Sequence, residues 1–335
     1  MPSQLPIPPS LAEIEAAADA LRGRIVETPV LPLVSDRLAR YLPEQASVVM
    51  KLELFQHTGS FKARGALLNV LGLTDAQLQK GITAVSAGNH AIAAAWAARQ
   101  RGTSAKVVMM KSADPVRVAA ARALGAEVVQ ADDVHQAFAE VDRIVATEGR
   151  TFVHPFEGLT TVTGTATLGL EFIRQSGPLD AVIIPCGGGG LIAGMARAIK
   201  LVSPGTAVYG VEPEGADSMA RSFAAGSAQK LDVVRTIADS LGAPMALPFS
   251  FSVARAHVDE IVLIPDADML KAQALLFDAL KIAVEPAGAA STAALIGPLR
   301  QRLIGKRIGV IACGSNIGEA KFAGQVAEGR LLLAA

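Results

Sequence analysis

Short apolar runs rich in β-branched residues alternate with longer, alanine-rich runs of helical period along most of the chain. The apolar runs predict strands over 47–52, 82–85, 105–110, 127–130, 181–185, 207–211, 260–264 and 307–312. The runs between them predict helices over 63–71, 91–101, 115–124, 134–148, 166–176, 191–201, 266–280 and 291–304. This alternation is typical of an α/β fold with twisted, parallel-rich sheets and helices on both faces.

The spacing of glycines suggests how the chain divides into domains. Gly81, Gly102 and Gly125 punctuate a series of short, similar strand–helix units. We therefore expect a small α/β domain over 74–156, inserted into a larger domain built from 1–73 and 157–335.

Composition narrows the class of protein. The chain has 335 residues, 51% hydrophobic and 19% charged, which is enough apolar material for a sizeable core. Basic and acidic residues number 31 each, so net charge gives no reason to expect nucleic acid or an anionic membrane as a partner. The apolar stretches, such as 91–98, are too short to span a bilayer.

The two cysteines and the N-terminus bear on the compartment. Cys186 and Cys313 cannot build a disulfide framework, which favours reduced thiols in a cytoplasmic protein. The first ten residues lack the basic start and apolar core of a signal peptide.

A run of four glycines, Gly187, Gly188, Gly189 and Gly190, stands between a predicted strand and a predicted helix. Free backbone N–H groups at a helix N-terminus, with no Cβ in the way, form a ready site for a phosphate. A tight turn that packs the helix on the strand is the structural alternative. The spacing Gly188-x-Gly190-x-x-Ala193, with Glu212 further on, also matches the loose dinucleotide fingerprint of a nicotinamide-dependent dehydrogenase.

Lys62 follows Ser60 and Phe61 at the start of a predicted helix. The positive end of the helix disfavours an ammonium there, which helps to keep the amine neutral and nucleophilic. An ordinary surface lysine is the alternative.

Four segments resemble, in order, those of the pyridoxal-phosphate-dependent threonine/serine dehydratase family, which has the tryptophan-synthase-β-like fold (fold type II). They are Ser60-Phe61-Lys62-x-Arg64-Gly65-Ala66, Ser86-Ala87-Gly88-Asn89-His90, Gly187 to Gly190, and Cys313-Gly314-Ser315-Asn316. The resemblance extends from Ile25 to Gly318 and implies two domains, the larger of which holds the cofactor.

The resemblance implies a role for each of these residues. Lys62 would bind pyridoxal 5'-phosphate covalently and later remove the Cα proton of the substrate. Gly187, Gly188, Gly189 and Gly190 would hold the phosphate, Phe61 would pack on the ring, and Asn89, Glu285 and Cys313 would lie at the cofactor, with Cys313 at the ring nitrogen. Ser86, Ala87, Gly88, Asn89 and His90 would surround the substrate carboxylate, with His90 as a structural neighbour.

A further segment resembles the family's cation-binding loop. Glu212, the carbonyl of Ala216 and Ser218 would supply oxygen ligands. Because Ser218 stands where relatives that bind divalent ions have aspartate, potassium is expected before magnesium, although Asp217 keeps magnesium open.

Taken together, the resemblance implies a dehydratase that converts a β-hydroxy amino acid, L-threonine or L-serine by default, to a 2-oxo acid and ammonia. Hydroxyaspartate and phenylserine are alternative substrates, and a racemase like serine racemase is the alternative reaction. A nicotinamide-dependent dehydrogenase and a non-catalytic binding protein are the alternatives from other classes. The resemblance also implies a homodimer.

Overall fold

Two parallel-rich sheets covered by helices form the frame of the protein, in a computed structural model that describes residues 5–86 and 88–334. The strands are β1 (Val30–Pro32), β2 (Ser47–Lys51), β3 (Ile82–Val85), β4 (Ala105–Met110), β5 (Glu127–Ala131), β6 (Thr151–Phe152), β7 (Ala181–Pro185), β8 (Ala207–Pro213), β9 (Glu260–Ile264) and β10 (Arg307–Ile311). The helices are α1 (Leu11–Leu21), α2 (Asp36–Ala39), α3 (Lys62–Leu71), α4 (Asp75–Lys80), α5 (Asn89–Gln100), α6 (Pro115–Ala123), α7 (Val134–Glu148), α8 (Leu159–Ser176), α9 (Gly190–Val202), α10 (Ser218–Ala225), α11 (Pro248–His257), α12 (Asp266–Leu280), α13 (Pro286–Ile296) and α14 (Glu319–Ala334).

The larger sheet has six strands in the order β1-β2-β10-β7-β8-β9. Strand β1 runs antiparallel to β2, and every other pair of neighbours is parallel. All five residues of the central strand β7 are buried. A continuous apolar strand of this kind requires helices on both faces of the sheet.

The smaller sheet has four parallel strands in the order β5-β4-β3-β6. Its strands all come from residues 82–152, inside the segment predicted to form an inserted domain. The exact boundaries at 74 and 156 stay a prediction. The α/β class with parallel-rich sheets is confirmed, and the eight predicted strands are all present, to within two residues at their ends.

Two predicted helices have the wrong limits. The helix predicted over 291–304 is α13, which begins at Pro286 and ends at Ile296. Gly297 closes it by donating its N–H to the carbonyl of Ala293 at 3.0 Å, and Pro298 lacks the N–H that a further turn would need.

The other wrong limit is the start of α8, which begins at Leu159 and not at 166. Threonines with low helix propensity hide its first two turns in the sequence. Thr163 donates to the carbonyl of Leu159 at 2.8 Å, and Thr165 donates to the carbonyl of Gly190 at 2.7 Å. Tertiary contacts thus stabilise a segment whose intrinsic helix propensity is poor.

Several short or peripheral elements have no counterpart in the predicted pattern. They are β1, β6, α1, α2, α4, α10, α11 and α14. Across residues 5–86 and 88–334, no helix combines the length and the apolar character needed to cross a membrane.

Candidate active site

A cleft opens where the carboxyl ends of β7 and β10 in the larger sheet approach the carboxyl end of β3 in the smaller one. It encloses about 960 Å³, counting the open space at its mouth, which is the size of a small-molecule site. The predicted cofactor and substrate residues that line it are Phe61, Lys62, Ser86, Gly88, Asn89, His90, Gly187, Gly188, Gly189, Gly190, Glu285 and Cys313. Ala87, also predicted there, lies outside the described residues.

Lys62 is the first residue of α3 and reaches into the cleft. Its Nζ donates to the carbonyl of Pro155 at 2.5 Å. Burial lowers the pKa of this amine to about 8, although the nearby Cys313 and Glu285 act in the opposite direction. A lysine with this pKa has a substantial neutral fraction near neutral pH, and a neutral amine is both a nucleophile and a base.

The glycine loop follows β7 and leads into α9, whose first residue is Gly190. A Cβ on Gly190 would stand 2.6 Å from the carbonyl oxygen of Phe156, and one on Gly188 would overlap the Phe156 ring. Gly189 has a φ of +93°, which residues with side chains rarely adopt. Only glycines therefore fit here, and the resulting bare backbone at the N-terminus of α9 suits an anion.

The Ser86–Asn89 segment connects β3 to the N-terminus of α5. Ser86 Oγ accepts the N–H of Gly88 at 2.9 Å, which holds the turn. His90 is buried, and its Nε2 lies 2.7 Å from the carbonyl of Val153. Burial and the charge of Lys62 lower the pKa of His90 to about 3. Its ring is therefore neutral and donates to Val153, so it is not placed to carry a catalytic proton.

Asn89 and Glu285 meet at the base of the cleft. Asn89 Nδ2 donates to Glu285 Oε1 at 2.6 Å and to Ser240 Oγ at 3.1 Å. Burial raises the pKa of Glu285, and the guanidinium of Arg117 partly offsets this. Ser240 was not predicted as a site residue, because no motif marks a lone serine in the segment after Asp239.

Cys313 follows β10 and is buried at the cleft wall. Its Sγ lies 3.3 Å from the carbonyl of Ala287. Burial raises the pKa of the thiol well above its usual range, and Glu285 adds to the effect. The group is therefore a neutral thiol at physiological pH.

One wall of the cleft is apolar and aromatic, a feature the sequence analysis missed. It consists of Met110, Val134, Phe138 and Phe156, and we call these four residues the apolar wall. His154 joins its two rings, with centroids 4.7 Å from Phe156 and 6.1 Å from Phe138. Val134 and Phe138 recur at helical spacing in α7, but that spacing cannot tell a residue of the core from one that faces a cleft.

The model of the family described as pyridoxal-phosphate dependent enzyme matches residues 21–314 of this chain. The chain belongs to this family. Its fold is therefore the expected fold type II, and the nicotinamide interpretation of the glycine loop is superseded.

Three relatives place the chain more closely within the pyridoxal-phosphate family. Phenylserine dehydratase of Ralstonia pickettii is 50% identical over 94% of this chain and 95% of its own length. Catabolic L-threonine dehydratase of Escherichia coli is 36% identical over 93% of this chain and 94% of its own. Maize serine racemase has a solved structure that superposes with a TM-score of 0.89 at 30% identity, covering 98% and 100% of the two chains. These likenesses support a pyridoxal-phosphate-dependent ammonia-lyase that dehydrates a β-hydroxy amino acid.

The cleft offers the groups that a pyridoxal-phosphate enzyme needs. The cofactor is an aldehyde that carries a phosphate, a ring hydroxyl and a ring nitrogen. Lys62 provides an amine of lowered pKa, the glycine loop provides a bare helix N-terminus, and Cys313 provides a neutral group deep in the wall. The residues present therefore fit the cofactor of the family.

The predicted cation ligands lie at the end of β8, on the same side of the larger sheet as the glycine loop. Glu212, Ala216 and Ser218 are all buried. Glu212 accepts the N–H groups of Met219 and Ala220 at 2.9 and 2.8 Å. Within the described residues, the hydroxyl of Ser218 has no hydrogen-bond partner, and no cluster of three or more histidine, cysteine, aspartate or glutamate residues could hold a metal ion.

Proposed function

We propose that this enzyme dehydrates β-hydroxy amino acids whose β-carbon carries a phenyl or similarly bulky apolar group, with phenylserine as the representative substrate. The apolar wall is the observation that carries this proposal. It places two phenylalanine rings, a methionine and a valine against the cleft that holds Lys62. Burying a phenyl group there is worth about 1.5–3 kcal/mol, whereas the methyl group of threonine would cover only a small part of the wall.

The charges around the cleft support the same substrate class. Among its described lining residues, Lys62 is the only lysine or arginine. A substrate with a β-carboxylate, such as hydroxyaspartate, would need a second cation that these residues do not supply, since a buried carboxylate without a partner is costly. The 50% identity to a phenylserine dehydratase is an independent reason for the choice.

Lys62 would hold the cofactor, the glycine-loop amides would bind its phosphate, and the Ser86–Asn89 loop would bind the substrate carboxylate. The cofactor, when bound, supplies an electron sink for the charge that develops at Cα. When its Nζ is free of the cofactor, Lys62 would accept the Cα proton, a transfer that the pKa of about 8 of this free amine suits.

Cys313 would set the strength of that sink, because a neutral thiol beside the ring nitrogen would not force the ring to carry a proton, whereas a carboxylate would. A moderate sink suffices when a hydroxyl leaves from Cβ. The overall reaction balances as a β-hydroxy amino acid giving a 2-oxo acid and ammonia, because the water lost from Cβ is regained when the C–N bond is hydrolysed.

The test of this function is the fate of phenylserine. We expect phenylpyruvate and ammonia in equal amounts, with little inversion of the substrate that remains. Racemisation needs a proton donor on the face opposite Lys62, and Ala87 in the substrate-carboxylate loop has a methyl group that cannot donate a proton. An oxo-acid assay run beside chiral chromatography decides the point. Inversion faster than oxo-acid release would establish a racemase.

Phe138→Ala is expected to change selectivity. Removing the ring from the apolar wall should lower kcat/KM for phenylserine about tenfold and leave that for threonine within about twofold. The matched control is Phe322→Ala, since Phe322 is also partly buried but pairs with Phe277 in α12. Equal losses of kcat/KM for both substrates, or the same change in the control variant, would show that Phe138 does not recognise the substrate's side chain.

We also propose that Glu212, the Ala216 carbonyl and Ser218 bind a monovalent cation. The unpartnered, buried hydroxyl of Ser218 supports an oxygen-ligated ion, and the lack of a second carboxylate ligand favours potassium. Chelator-treated enzyme in a tetramethylammonium buffer should gain more activity from potassium than from magnesium, and Ser218→Ala should reduce the potassium response. A response to magnesium alone would refute the monovalent assignment.

The homodimer stays a prediction.

A further inference from the structure

The side chain of Arg117 extends from the part of the molecule built on the smaller sheet and contacts residues in the part built on the larger sheet. It lies on α6, which connects β4 to β5, and its side chain is only 4% exposed. Its Nη2 donates to Glu285 Oε2 at 2.7 Å, and its Nε donates to the carbonyl of Asn316 at 2.7 Å. No sequence motif marks this residue.

These contacts close a hydrogen-bonded ring of four residues. Asn89 Nδ2 donates to the other oxygen of Glu285 at 2.6 Å, and Asn316 Nδ2 donates to Asn89 Oδ1 at 2.8 Å. The ring thus runs from Arg117 through Glu285, Asn89 and Asn316 back to Arg117. Asn89 and Arg117 belong to helices that cover the smaller sheet. Glu285 directly precedes α13, which packs on the larger sheet, and Asn316 follows β10 of that sheet. The ring therefore fixes the two sides of the cleft relative to each other.

The stem of Arg117 also supports the loop at the cleft. A Cβ on Gly88 would overlap the Cδ of Arg117, so Gly88 and the side chain of Arg117 are in direct contact. The charge of Arg117 is needed where it lies, because Glu285 is 1% exposed and a buried carboxylate without a cation is costly. The only other carboxylate near the guanidinium within the described residues is that of Asp239, 3.6 Å from Nη1.

We infer that Arg117 is a positioning residue, which holds the Ser86–Asn89 loop in its binding geometry through Gly88, Glu285 and Asn89. Arg117 is not among the described residues that line the cleft, so it acts through Gly88, Asn89 and Glu285, which are. This rests on the proposed function of that loop. Loss of a charge-assisted hydrogen bond at a buried site should lower kcat/KM about 10- to 100-fold, mainly through a higher KM.

The experiment compares Arg117→Met, Arg117→Lys and a matched control, Arg122→Met, in the cofactor-bound enzyme. Arg122 lies on the same helix but is exposed. We expect Arg117→Met to raise hydrogen exchange at the N-terminus of α5 about tenfold, while exchange in α12 stays unchanged. KM should rise in the same variant, Arg117→Lys should recover part of both effects, and Arg122→Met should match the unmodified enzyme.

Exchange is measured without substrate, so it stays informative even if phenylserine proves to be the wrong substrate. The proposal is overturned if Arg117→Met raises exchange evenly over the chain, or if it leaves both the α5 amides and KM as in Arg122→Met. Should Arg117→Met fail to fold, Arg117→Lys carries the test. A lysine variant equal to the unmodified enzyme in both readouts would then overturn the proposal.

Discussion

Lys62→Ala should lower turnover about 10³- to 10⁴-fold while the protein keeps its fold. The amine is the only lysine or arginine among the described residues that line the cleft, and its lowered pKa suits both covalent attachment and proton transfer. Its loss removes one hydrogen bond, to the carbonyl of Pro155, so the effect on folding should be small. Steady-state kinetics and circular dichroism measure the two effects separately.

The location of the covalent bond gives the sharper readout. Borohydride reduction followed by tryptic digestion should place the cofactor's mass on the peptide that contains Lys62, and Lys62→Ala should abolish that label. Lys111→Ala is the matched control, because Lys111 is exposed and pairs with the exposed Asp132 on the surface. A label that persists on another lysine in Lys62→Ala would refute the assignment.

Arg64→Met should cost the enzyme about 3–5 kcal/mol of stability. The Arg64 guanidinium is buried two residues after Lys62 and forms paired hydrogen bonds to Glu53 at 2.8 and 2.9 Å. It makes a second pair to Glu171, both at 2.9 Å, and Lys51 also binds Glu171. The positive charges of the arginine and lysine balance the negative charges of the two glutamates. Removal of Arg64 therefore leaves the buried carboxylate of Glu53 without its cation.

Urea denaturation of the cofactor-bound enzyme, with unfolding followed by circular dichroism, measures this cost. Arg143→Met is the control, since Arg143 has a side chain 56% exposed and pairs with Glu140 on the surface; its cost should stay within about 0.5 kcal/mol. Arg64→Lys should fall between the two, because lysine keeps the charge but loses the paired geometry. Equal midpoints for Arg64→Met and Arg143→Met would show that the buried cluster does not stabilise the fold.

The sequence predicts the interior of this fold better than its edges. Strand β7 is buried on both faces and reads as a continuous apolar run, so its limits are predicted correctly. Strand β1 has three residues at the sheet edge and two of them are exposed, which leaves no pattern to detect. The threonines of helix α8 obscure its helical pattern in the sequence, and its contacts with α9 and Gly65 stabilise its first turns.

The residues of the site also differ in how well the sequence predicts them. Local motifs predict Lys62 and the glycine loop, because each needs a particular residue at a particular end of a helix. The apolar wall and Arg117 depend on contacts between segments far apart in the chain. Arg117 meets Asn316 across 199 positions, and no local pattern encodes such a contact. Arg117 shares a helix face with the buried Ala121, four positions on, so the helical period indicates that Arg117 is buried but does not identify its partner.

An internal competition between phenylserine and threonine tests the proposed selectivity most directly. Both substrates are mixed at equal concentration with the holoenzyme, and the early ratio of phenylpyruvate to 2-oxobutyrate is measured by mass spectrometry. This ratio equals the ratio of the two kcat/KM values and is independent of the fraction of active enzyme. The apolar wall predicts a ratio of about ten or more in favour of phenylpyruvate. A ratio of one or less would contradict the proposal that the cleft is built for an aromatic β-hydroxy amino acid.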